Sequence, residues 1–396
     1  MSPGQRDRIK PLLLIGAGLA TAFVAGSLQP PGASSQDRNL AGSAQGSYVF
    51  VPTNSNARKQ TFDGFITEVT IKLAVDFTER VSAQVKLCYG CHGVEFDMAF
   101  MDFWVADEIN FRVGRFNPAF GDFPLRHDPA NHRTINKPLP YDMGRMLRLR
   151  EYNMSVMPSP YVDNGVEVNG THWFGESLQV DYAMYVVSGF KGSRDGSGLD
   201  YIQSRSGSFY YVDNNSRPAL GGRLALTLDL GSAATVTLGG SAMHGTYDPD
   251  NRLGYTLAGA DFYARLGKVD LRAEYLRRRT EVRVGTDPFN RFAYLPVKKN
   301  GGDFWSSYFL KDGFYAQANM EVTPRLELVA RFDGIRRLGN VLATSPLRKD
   351  SLVLRYTPAV NVVFDHTLRL KLQGEFYDFS DFKDEIAVSA ALVSVF

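Results

Sequence analysis

"LRLKLQGEF", Leu368 to Phe376, decides the fold. In an extended chain successive side chains point to opposite faces. Leu368, Leu370, Leu372 and Phe376 therefore share one face, and Arg369, Lys371, Gln373 and Glu375 share the other. The same alternation recurs in "VDLRAEY" from Val269, in "LELVARFD" from Leu326 and in "LQVDYAMYVV" from Leu178. A soluble antiparallel sandwich also alternates. Here, however, the polar face carries charges of both signs, as a water-filled lumen would.

Connection lengths alternate too. Short turns stand at "FTERV", "VADE", "FGES", "DLGSA", "LGK", "TPR" and "DHT", with long polar stretches near 119–163, 190–218, 286–311 and 339–350. Short turns on one rim and long loops on the other are the pattern of a transmembrane β-barrel, whose average hydropathy is unremarkable. The expectation is an all-β, antiparallel transmembrane barrel of about 16 strands, a size that encloses an aqueous lumen. The chain has 396 residues and a net charge of +2, so nothing points to nucleic acid as a partner.

The N-terminus reads as a secretory signal over residues 1–27. Arg6, Arg8 and Lys10 precede the apolar "PLLLIGAGLATAFVAG". Residues 28–46 have the Pro, Ser, Gly and Gln bias of a flexible linker. The barrel is then expected over 47–396, with "SYVFVP" as its first strand. The last segment, "IAVSAALVSVF", ends in Phe396 and resembles the C-terminal strand of bacterial outer-membrane proteins. That implies a bacterial outer-membrane location, outer-membrane lipid as surroundings, and short turns on the periplasmic side.

"INFRVGRFNPAFGDF", Ile109 to Phe123, resembles the strand and corner of phosphate-selective-type porins. The resemblance implies a porin-like barrel passing small solutes. It brings no phosphate preference, because the basic ladders of such porins are not found here. The loop that follows, Asp122 to Asn164, is the longest and contains four methionines. Its sequence leaves open whether it constricts the lumen or caps the outside. No Ser-His-Asp set, nucleotide loop or paired carboxylates stand out, so an enzyme is not expected.

One motif is foreign to this pattern. Cys88-Tyr89-Gly90-Cys91-His92 holds the only two cysteines. Two thiols at this spacing can add to the two vinyl groups of one haem, and the next histidine can reach the iron. The motif resembles the attachment site of c-type cytochromes and, joined to a barrel, is similar to the fused cytochrome–porins of iron-oxidising bacteria. That implies haem c held by Cys88, Cys91 and His92, and electron transfer with a periplasmic or extracellular redox partner. The alternative is a passive porin in which Cys88 and Cys91 form a disulfide.

By strand parity the motif lies on the long-loop rim, on the side of "FPLRHDPANHRT". His127 and His132 are thus the distal candidates for the iron. Met143 and Met146 lie in the same loop. Met98, at an even offset from Phe96, is placed on the lipid face.

Overall fold

The computed structural model describes residues 37–52, 64–90, 93–142, 155–192, 212–231, 234–281, 297–299, 302–304, 308–339 and 350–396. The first five strands are β1 (Asp37–Phe50), β2 (Gly64–Thr78), β3 (Val81–Gly90), β4 (Gly93–Ala106) and β5 (Ile109–Phe116). Next come β6 (Asp163–Phe174), β7 (Leu178–Val187), β8 (Ala219–Asp229), β9 (Ala234–Thr246), β10 (Gly254–Leu266) and β11 (Val269–Glu281). A small hairpin pairs β12 (Val297–Lys299) with β13 (Gly302–Phe304). The chain ends with β14 (Tyr308–Thr323), β15 (Leu326–Gly339), β16 (Asp350–Val363), β17 (Leu368–Phe379) and β18 (Glu385–Val395).

All strands but the hairpin's form one closed, antiparallel barrel in which chain neighbours are sheet neighbours. Closure is made by β1 on β18, from Ser43 opposite Val395 to Phe50 opposite Val388. Main-chain bonds between Gly42 and Phe396 extend the seam, at 2.8 and 3.1 Å. A sheet in lipid cannot leave an edge, because unpaired N–H and C=O groups have no water to turn to.

The faces are inverted relative to a soluble protein. On β17, Lys371, Gln373 and Glu375 are buried inside, while Leu372 and Phe376 are exposed outside. On β18, Ser389 and Ala391 face in, and Ile386, Val388 and Leu392 face out. Phe77, Phe174, Phe364 and Phe396 are exposed beside the short-turn rim, where a membrane interface favours aromatic rings. The apolar outer band is a lipid face.

The turns at 79–80, 107–108, 175–177, 267–268, 324–325 and 364–367, with the short link from β8 to β9, are the seven read from the sequence. Two expectations shift. Strand β1 begins at Asp37, so residues 37–46 join the barrel wall instead of a linker. The seam explains this: Ser43, Gln45 and Ser47 are small or polar lumen-facing residues that pair with β18, and their composition imitates a linker.

Met98 is the second correction. Lys86 pairs with Met98, but Leu87 pairs with Phe96, so Asp97 is an extra residue in a β-bulge. The bulge resets the alternation. Phe96 stays exposed, Asp97 turns inward and is buried, and Met98 stands opposite the lumen-facing Lys86.

A Cβ at Gly42 would lie 2.3 Å from the Phe396 ring and 2.6 Å from the Thr70 carbonyl oxygen. Gly42→Val should therefore destabilise the seam by about 1–3 kcal/mol. It should lower the temperature at which the folded band is lost in heat-shift gels. Gly240→Val, where a Cβ meets nothing within 4 Å, should leave that temperature unchanged.

Candidate functional site

The connection from β5 to β6 turns into the barrel. Its entry is set by Gly121, whose φ of 66° lies in the left-handed region that favours glycine. Asn117 Nδ2 donates to the Pro124 carbonyl at 2.7 Å and rounds the corner into a 3₁₀ turn, Phe123–Arg126. Phe120, Phe123, Leu139, Tyr141, Val156, Met157 and Tyr161 are buried with wall residues such as Tyr255, Leu276 and Tyr315. The loop read as either constriction or cap is thus folded into the lumen.

The wall holds this loop mainly through its backbone. On β11, the Glu274 carboxylate accepts from Phe123 N at 2.8 Å and Asp122 N at 3.2 Å. It also accepts from the hydroxyls of Tyr141 and Tyr315. On β9, Ser241 Oγ accepts from Gly121 N at 3.0 Å.

The loop then reaches β3, which stands opposite β11 in the ring. There the buried Lys86 ammonium contacts Asp128 at 2.6 Å, Asp97 at 2.8 Å and His127 Nε2 at 2.8 Å. Lys72 of β2 meets Asp128 from the other side at 2.6 Å.

A third set of anchors lies on β15 to β17. Lys371 Nζ donates to the carbonyls of Pro129, His132 and Thr134, at 2.7, 2.7 and 3.1 Å. Gln373 accepts from Ile135 N at 2.8 Å, and Glu375 from Asn136 Nδ2 at 2.6 Å. Asp333 accepts from Leu139 N at 3.0 Å. Arg355, fully buried, donates to the Lys137 carbonyl at 2.6 Å and to the carboxylates of Asp333 and Glu375. One loop therefore touches the wall on opposite sides and crosses the bore.

Of the motif residues, Cys91 and His92 lie outside the described residues, as do Met143 and Met146. Cys88 is a free thiol on the lumen face of β3, two residues beyond Lys86, with Sγ 3.5 Å from Asp97 Oδ2. His127 belongs to the same cluster. Its Nδ1 donates to the Pro124 carbonyl at 2.6 Å, which leaves Nε2 to accept from Lys86.

His132 sits elsewhere, on the stretch pinned to β17, with its ring 5.8 Å from that of Phe123. The structure thus brings Cys88 and His127 together and places His132 apart from them. Sequence reading noted the charged faces of β15 and β17 but not Lys371, Arg355 or Glu274 as loop anchors. Alternation marks a residue as lumen-facing and says nothing of which main-chain atom it meets.

Solved structures resemble this barrel. An anion-selective porin from Comamonas acidovorans aligns with a TM-score of 0.52 at 10% identity, over 91% of this chain and 100% of its own. In-vitro folded OmpT, an outer membrane protein of Vibrio cholerae, gives 0.52 at 9%, over 93% and 99%. The outer membrane channel DcaP of Acinetobacter baumannii gives 0.51 at 10%, over 91% and 97%. No protein-family model matches the chain, and no curated protein sequence does. The shared feature is the fold of bacterial outer-membrane porins.

Burial, and then the Lys86 charge, hold His127 below its ordinary 6.5. Burial, and then Lys371, hold His132 well below the same value. A released loop would return both rings to their ordinary value and bind more protons. Anchoring should therefore weaken as pH falls through 6.5, and recover as it rises. Cleavage of the loop between Asp128 and Lys137 by papain, which stays active across this range, should increase between about pH 7 and 5. His127→Gln combined with His132→Phe should flatten that increase.

Proposed function

We propose that the chain is a bacterial outer-membrane channel for small hydrophilic solutes, with passage set by the loop folded across its bore. The observation that carries this reading is that loop: its backbone is fastened to β3, β11 and β15–β17 by buried lumen side chains. A lumen lined by charge and hydrogen-bonding groups suits hydrated solutes. An apolar exterior keeps the barrel in lipid. The loop divides the bore and restricts the size of what crosses, without any chemical step on the solute.

Arg355→Met tests it. The change removes the cation between Asp333 and Glu375 and leaves two buried carboxylates without it, a loss of about 3–5 kcal/mol. Most of that loss falls on loop anchoring. In planar bilayers the variant should conduct ions better than the parent protein, or gate more often. A parent protein that inserts and conducts nothing would overturn the channel reading.

A second reading is favoured by the spacing of Cys88, Cys91 and His92: a covalent c-type haem on the β3–β4 hairpin. Such a group, when bound, exchanges single electrons. The free Cys88 thiol suits attachment. The distal side does not fit as arranged, because both His127 nitrogens are already engaged and its Nε2 faces a buried ammonium.

Iron at His127 would require Lys86 to leave Asp97 and Asp128. The test is pigment. Protein made together with cytochrome c maturation factors should keep a coloured group after denaturation and lose it in Cys88→Ser/Cys91→Ser. Colourless protein from cells that mature other c-type cytochromes would remove haem and leave the channel.

A further inference from the structure

Two of the chain's three tryptophans face the lumen near the short-turn mouth. Trp104 of β4 pairs with Asn110, which pairs with Asn169, in a row that continues to the lumen-facing Arg223. Its indole Nε1 reaches Ser82 Oγ at 3.4 Å. Trp173 of β6 lies two residues beyond Thr171, on the face shared with Asp181.

Both rings line one cavity of about 490 Å³ between the wall and the underside of the inward loop, where Leu125 adds a third apolar surface. Their exposures are 46% and 47%, inside the lumen and away from lipid. Broad apolar faces turned toward water are the unusual feature here, since the apolar side chains packed between loop and wall, such as Phe120, Leu139 and Leu276, are buried.

The polar groups between these rings are already paired. Arg112 holds Asp102 at 2.8 and 3.1 Å and approaches Glu167 at 3.7 Å. Arg223 holds Asp261 at 2.5 Å. Asp181 accepts from Thr171 Oγ1 at 2.6 Å and from Gln179 Nε2 at 2.7 Å. Asn169 Nδ2 donates to Glu167 at 3.2 Å.

What this rim offers a ligand is spare lone pairs and N–H groups in side-by-side planar pairs. A hydroxyl, which both donates and accepts, can join such pairs without displacing a charge. The matching ligand has a flat C–H face for an indole and a hydroxyl-bearing edge for the rim. Trp104 stands level with Asn169, two strands across and four residues short of Trp173, so the two residues lie roughly 16 Å apart on the wall. That spacing admits more than one sugar ring.

We propose that this vestibule is a saccharide-binding site that loads the channel from its short-turn side. The proposal rests on the channel reading for its role in transport, but not for binding itself. The test therefore has two readouts. Detergent-folded protein is titrated with maltotriose while tryptophan fluorescence is followed, and no conductance is needed. In a planar bilayer the same sugar is added to one side at a time.

Saturable emission changes are expected, with current block more frequent from the short-turn side. Trp104→Ala and Trp173→Ala should each weaken binding by roughly three- to tenfold. Trp104→Phe should retain most of it, and it stands in should the alanine variant not fold in a heat-shift gel. An emission unchanged by maltotriose in folded protein would overturn the site, as would binding indifferent to both alanine variants. Block by tetraethylammonium below the effective maltotriose concentration would also overturn it, assigning an organic cation instead. Absent conductance with intact fluorescence binding would sink the channel reading and leave the site.

Discussion

A long loop folded into a barrel brings its peptide groups away from bulk water, and each must find a partner there. Among the described residues, no strand pairs with the loop to supply them. The wall's side chains take that part. Lys371 satisfies three carbonyls between Pro129 and Thr134, Glu274 two amides and two phenols, and Arg355 a carbonyl and two carboxylates. The position of the loop, the shape of the bore and the vestibule under Leu125 all depend on this exchange.

The arrangement also explains why charged residues in an aqueous barrel are so thoroughly buried. Arg355, Lys371 and Lys86 are covered by the loop they hold. Ion pairs at such sites add little by themselves, because desolvation offsets their attraction. Their worth is geometric. Removing one partner strands another charge, so the loop has one well-satisfied position and few alternatives.

Much of the barrel was legible in the sequence because a strand's period is two and the lipid face tolerates few charges. "LRLKLQGEF" showed both faces of β17 at once. The seven short turns were legible for the same reason. What escaped had local causes. The bulge at Asp97 adds one residue and reverses the faces of Met98 to Trp104, until a second register shift before Ala106. The start of β1 resembled a linker because its inward residues are serine and glutamine.

The loop's course was hidden because its partners' bonds end on main-chain atoms, which every residue has. At the cysteine motif, spacing marked Cys88 and parity brought His127 near it. Only the coordinates showed that a lysine stands at the imidazole nitrogen an iron would need.

The seam between β1 and β18 joins opposite ends of the chain. The other fifteen of the wall's sixteen pairings join consecutive barrel strands, whose loop closure costs less. The seam cannot form until the curved sheet has brought its two ends together. Assembly therefore has one non-local step, and it comes last. Until then two strand edges stay open, and the surrounding lipid offers them nothing to bind. A barrel arrested there would capture a second chain's edge as readily as its own, so the speed of this final closure governs whether the molecule matures or aggregates.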